Sequence, residues 1–135
     1  MCTTETPERI YLKAKGISMG SVWGPSALLG VRPVVAGEVV PLGSVLVFEL
    51  GGHVIAHRVI RRMRKDASLI YITQGDGYGR PDALPVPEGA VRGVVEWVES
   101  GGETLYPDRW FHRWRRWAWL RIKGAVYSLV CRRAN

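Results

Sequence analysis

The sequence predicts a mainly β domain followed by a C-terminal amphipathic helix, and three observations carry that expectation. Residues 34–99 alternate short runs rich in Val, Ile and aromatic side chains with turn signals, and hold no amphipathic stretch long enough for a helix. After Pro107 there is no further proline, and apolar residues recur at helical spacing. A chain of 135 residues with 47% hydrophobic and 23% charged side chains has the composition of one compact domain, which excludes collagen-like, disordered and multi-domain organisations.

Strands are expected at 45–50, 54–61, 69–73 and 91–98. Gly51-Gly52 joins the first two as a tight hairpin, because two glycines supply the positive φ angles of such a turn. Asp66 turns the chain between the second and third. Residues 74–89 hold Gly75, Gly77, Gly79 and Gly89 with Pro81, Pro85 and Pro87, a composition that predicts one long loop. The organisation expected is an N-terminal arm over 1–11, a β domain over 12–106 and a helical tail over 107–135.

At this length roughly two thirds of the unfolded surface can be buried, so neither a metal nor a disulfide is required for stability. Cys2 and Cys131 sit near opposite ends of the chain without a C-x-x-C partner or metal-ligand spacing. No metal or organic cofactor is expected. The first ten residues carry Glu5, Glu8 and Arg9 and no apolar run, so neither a signal peptide nor a membrane span is expected there.

The net charge of +7 belongs to the tail. Residues 1–106 carry eleven basic and eleven acidic side chains, whereas the tail carries eight cations against Asp108 alone. It also holds Trp110, Trp114, Trp117 and Trp119, four of the six tryptophans, with Asp108 as the expected N-cap. At 100° per residue, Trp110, Phe111, Trp114, Trp117, Ala118, Ile122, Ala125 and Leu129 share one arc. Arg109, His112, Arg113, Arg116 and Lys123 lie opposite. Such a stripe either packs on the domain with its arginines solvated, or rests on a membrane surface, where Trp prefers the headgroup level and Arg meets anionic lipid. The membrane contacts expected on the second reading are Trp110, Trp114, Trp117, Arg113 and Arg116. Residues 118–131 are too few, and include Arg121 and Lys123, for a membrane span. The expected location is therefore peripheral attachment to a membrane, on its cytoplasmic face. A nucleic-acid surface is disfavoured, since too few residues precede Gly16 for a helix-turn-helix.

Four features occur in order along the β domain: Gly16-Ile17-Ser18-Met19, Ala56-His57-Arg58-Val59 in a strand, Gly75-Asp76 opening the long loop, and Asp82 six residues later. Ser, His and Asp are the parts of a nucleophilic triad. A serine hydroxyl needs a neighbouring base to accept its proton, and the base needs a third group to hold its tautomer.

This ordered set resembles signal peptidases of the S24/S26 peptidase group, in particular the archaeal and endoplasmic-reticulum type that uses His where the main bacterial type uses Lys. The resemblance covers residues 12–98 and rests on Ser18-Met19, Gly43-Ser44-Val45, His57-Arg58-Val59, Thr73-Gln74-Gly75-Asp76, Asp82 and Val91-Arg92-Gly93-Val94-Val95. It implies a serine endopeptidase acting on a leader- or signal-like precursor peptide, with Ser18 as nucleophile and His57 as general base. It also implies Asp82 or Asp76 as the carboxylate that orients His57, Asp82 being favoured and Asp76 bracing the loop. The Ser18 N–H would form part of the oxyanion hole, and Met19 and Gly16 beside it are assigned to substrate binding. The implied fold is the coiled, barrel-like antiparallel sheet shared with LexA-type repressor peptidases. The rival expectation is a degenerate, non-catalytic domain of the same fold that binds peptide or nucleic acid.

Overall fold

The computed structural model describes residues 8–15, 18–19, 23–107 and 110–133, without the side chains of 110–113, 127 and 129–133. Eight strands form one antiparallel sheet: β1 (Ile10–Lys13), β2 (Leu28–Pro33), β3 (Val45–Leu50), β4 (His53–Lys65), β5 (Ser68–Gln74), β6 (Val86–Pro87), β7 (Val91–Ser100) and β8 (Glu103–Leu105). Helix α1 (Trp110–Arg133) follows. The sheet order is β1-β2-β7-β3-β4-β5-β6, with β8 paired to β7. The mainly β architecture with a C-terminal helix is thus the observed one, but the expected barrel-like closure is not. The far edge of the sheet, β6, is two residues long and ends on Pro87, which has no N–H to carry a ladder onward.

β3 shows how the sheet builds its core. Its alternating side chains are buried on both faces, Val45 and Val47 in a cluster with Met19, Trp23, Leu29, Val31, Val95 and Val98. Leu46 and Phe48 join the opposite cluster with Val59, Leu69, Tyr71, Val86 and Val94. A strand covered on both sides reads as a continuous apolar run, which is why Val-Leu-Val-Phe is so visible in the sequence. The hairpin to β4 turns at Gly51 and Gly52, with φ of 58° and 77°. β1, β2 and β8 were not expected, and the stretch 74–89 is not wholly loop, since β6 lies within it.

β4 is the element that creates the site. Residues 53–58 pair with β3, a bulge falls between Val59 and Arg61, and the remainder pairs with β5 from Arg58 onward. The strand changes neighbours along its length. Among the described residues, 53–57 therefore have a strand partner on one side only.

The bulge also receives α1. Ile60 is skipped by the β4–β5 register, and its carbonyl accepts a hydrogen bond from the Trp117 indole Nε1 at 2.9 Å. Leu120, one turn on, is buried, and Lys123 reaches the Asp76 carbonyl at 3.4 Å. This docking corrects the expected helix orientation. Trp117, assigned to a membrane contact, is half-buried against the domain, and Arg116 and Lys123 are half-buried rather than solvated. The outward face carries Trp114, Trp119, Ile122 and Val126. Asp108 and the side chains of Trp110 and Arg113 lie outside the described residues. No described helix is long and apolar enough to cross a membrane.

Candidate active site

The site forms where β4 leaves β3 and the 74–78 turn folds against the segment bearing Ser18. His57 stands opposite Leu46 in the β3–β4 register and is buried, its ring held by the edges of Phe48 and Tyr78 at centroid distances of 6.3 and 6.0 Å. Its Nδ1 lies 2.5 Å from Asp82 Oδ2. A carboxylate only accepts, so this contact assigns the ring proton to Nδ1 and leaves Nε2 of the neutral imidazole as an acceptor. Asp82 is itself fixed: its N–H donates to the Thr73 carbonyl at 2.8 Å, and the Thr73 hydroxyl donates to Oδ2 at 2.6 Å.

Nε2 faces the Ser18 segment across Gly75. A Cβ placed on Gly75 would lie 2.7 Å from the Ser18 carbonyl oxygen and 3.1 Å from His57 Nε2, so the turn fits between them only because residue 75 has no side chain. The turn is stitched in place by the Gly77 N–H to the Ser18 carbonyl (2.8 Å), the Tyr78 N–H to the Gly75 carbonyl (2.9 Å), and the Gln74 amide to the Tyr78 carbonyl (2.8 Å). Among the described residues no hydrogen bond joins the Ser18 hydroxyl to His57. Both side chains line the same cleft.

Asp76 has a different environment from Asp82. Its carboxylate receives Arg58 in a bidentate pair, Nε to Oδ1 at 2.9 Å and Nη2 to Oδ2 at 2.8 Å, and Arg58 Nη1 donates to the Gly43 carbonyl at 2.6 Å. Both side chains are about 1% exposed. Of the two carboxylates considered for orienting His57, Asp82 makes the contact and Asp76 instead neutralises Arg58. The Asp76 N–H meets the Met19 sulfur at 3.2 Å, which ties the turn to the residue after Ser18.

The cleft has a volume of about 590 Å³ and is lined by Ser18, Met19, Trp23, His57 and Tyr78, by 12–15 at the end of β1 and just beyond it, and by 54–56 of β4. Its walls are two strand edges, since among the described residues β1 ends the sheet and 54–56 are paired only to β3. Gly16 lies outside the described residues. Among the described residues no cluster of His, Cys, Asp and Glu has the arrangement of a metal site. Residue-by-residue reading missed Thr73, Gly75 and Tyr78. Thr73 and Gly75 occur in the Thr-Gln-Gly-Asp block, whose small and hydroxylated residues were the available signal.

Comparison with protein-family models, with curated proteins and with solved structures finds no match to this chain.

Proposed function

We propose that this protein is a serine endopeptidase of the signal-peptidase type, with Ser18 as nucleophile, His57 as general base and Asp82 as the group that orients the imidazole. The observation that carries the reading is the two-sided placement of His57, with Nδ1 on Asp82 and Nε2 beside the Ser18 segment. Nε2 takes the Ser18 proton as Oγ attacks the scissile carbonyl, then delivers it to the leaving amine. Water attacks the acyl-enzyme in the second half of the reaction. Ser18 and His57 line one cleft without a hydrogen bond between them, which is compatible with a free enzyme, in which catalytic hydrogen bonds tighten on substrate binding.

The substrate class proposed is a leader- or signal-like precursor peptide, cut after a small residue. Two strand edges that are unpaired among the described residues and face one apolar cleft favour an extended peptide, whose backbone adds to the edges while alternate side chains enter the cleft. Arg58–Asp76 serves to brace the turn, and no cofactor takes part. The same reading places the enzyme peripherally on a membrane, through α1.

Its test is incubation of the wild type, Ser18→Ala and His57→Ala with a proteome-derived peptide library, read by mass spectrometry for new termini. New termini in the wild type alone are expected. Peptide retained by all three proteins without new termini supports the binding-module reading instead.

A further inference from the structure

We propose that the outward face of α1 is a docking surface for an anionic lipid bilayer. This deepens the peripheral location just proposed and rests on that part of the reading, not on the peptidase chemistry. A helix docked on a domain ordinarily turns its apolar stripe inward and its charges out. α1 leaves large apolar side chains on its outward face as well. A narrow ridge of Trp117, Leu120 and Lys123 meets the domain, whereas Trp114, Trp119, Ile122 and Val126 are 54–59% exposed on the other side.

Charge selects the occupant. Residues 110–133 carry seven Arg and Lys and no Asp or Glu. The described cations exposed on α1 are Arg115 and Arg121, so a second copy seated on this face would bring like charges together with no carboxylate of 110–133 to offset them. A nucleic acid would be met by outward cations and stacking rings, but Ile122 and Val126 offer no stacking face, and Lys123 is turned to the Asp76 carbonyl. An anionic bilayer uses both features of the surface. Indoles sit at the headgroup level, aliphatic side chains reach the acyl boundary, and the exposed Arg115 and Arg121 meet lipid phosphates. With 24 residues the helix is about 36 Å long and lies along the surface.

The test uses the full chain with liposomes of phosphatidylcholine alone or with 30% phosphatidylglycerol, measured by co-sedimentation and tryptophan emission, with no substrate present. The wild type is expected to bind the anionic liposomes at least tenfold more tightly than the neutral ones, with a blue shift. Ile122→Ser/Val126→Ser, which leaves every tryptophan in place, is expected to lose at least tenfold in affinity at an unchanged melting temperature. Arg115→Gln/Arg121→Gln is expected to lose the preference for anionic lipid. Equal binding by wild type and the Ser/Ser variant, equal binding to both liposomes, no binding, or tighter binding to duplex DNA than to liposomes would each overturn the proposal. Because no substrate is present, loss of the peptidase reading leaves this result standing, and the converse also holds.

Discussion

The Arg58 guanidinium and the Asp76 carboxylate form a bidentate pair, at 2.9 and 2.8 Å, with both side chains removed from water, Arg58 being the residue after His57 and Asp76 the residue after Gly75. Such a pair fixes the turn that carries Asp76 against the strand that carries His57. Removing one partner leaves a buried charge uncompensated. Asp76→Asn and Arg58→Met are each expected to destabilise the protein by about 3–5 kcal/mol. The double variant Arg58→Met/Asp76→Leu is expected to recover part of that loss, because the stranded charge is gone. Urea denaturation of the three variants measures this directly, and a double variant no better than its parents would refute the assignment.

Gly75 admits no side chain. Gly75→Ala sets a methyl group against the Ser18 carbonyl and His57 Nε2, so the two segments must move apart. Overpacking of this kind costs about 1–3 kcal/mol. Displacing reacting groups by an ångström lowers the rate by about 100-fold. The expected variant folds with a reduced melting temperature and cleaves at about one hundredth of the wild-type kcat/KM.

Asp82 and Thr73 separate orientation from bulk structure. Asp82→Asn keeps the shape but no longer fixes the Nδ1–H tautomer, and is expected to lower kcat by about 10³–10⁴-fold with little change in KM. Thr73→Val removes a single donor to the Asp82 carboxylate, worth about 1.5 kcal/mol, and is expected to lower kcat by about tenfold. Steady-state kinetics on one peptide resolves both effects. A larger loss in the Thr73 variant than in the Asp82 variant would contradict the proposed roles.

One titration bears on stability rather than catalysis. The Arg32 guanidinium, hydrogen-bonded to both oxygens of Glu38 at 2.9 Å, holds the Glu38 carboxyl below the usual glutamate range despite its partial burial. A carboxyl with a depressed folded-state pKa stabilises the fold above its unfolded-state pKa, and that contribution is lost as pH falls through the folded-state value. Glu38→Gln is therefore expected to be less stable than the wild type at neutral pH, with the gap closing below the ordinary glutamate range. Because the pair is partly exposed, the gap is also expected to shrink in high salt. Urea midpoints at neutral and acidic pH, at low and high salt, provide the measurement.

The parts of the fold that were legible are those that a local pattern specifies. Val45 to Phe48 is apolar at every position because both faces are covered, and Gly51-Gly52 marks the turn by its positive φ angles. β1 and β2 were not legible. β2 contains Gly30 and Pro33, residues that argue against a strand, and the reason for Gly30 is tertiary: Trp97 lies across it, where a Cβ would meet the indole at 2.1 Å. The resemblance implied a carboxylate beside His57 but left Asp82 and Asp76 unseparated, and the Arg58–Asp76 pair was not legible, because its partners are 18 residues apart, one in the middle of β4 and one in the turn after β5. The orientation of α1 was unreadable for a similar reason. Both faces of the helix carry apolar residues, and the choice is made by the Ile60 carbonyl that the β4 bulge leaves unpaired in the sheet.

The most direct test of the proposed chemistry is the formation of an acyl-enzyme on Ser18. A peptidyl p-nitrophenyl ester with a small residue at the acyl position transfers its acyl group to Oγ and releases nitrophenol, which gives a burst of absorbance and a mass increase on the peptide that contains residue 18. The account predicts a burst and a Ser18 adduct in the wild type, both absent in Ser18→Ala and strongly slowed in His57→Ala. An adduct at another residue, or a burst that persists in Ser18→Ala, would contradict it.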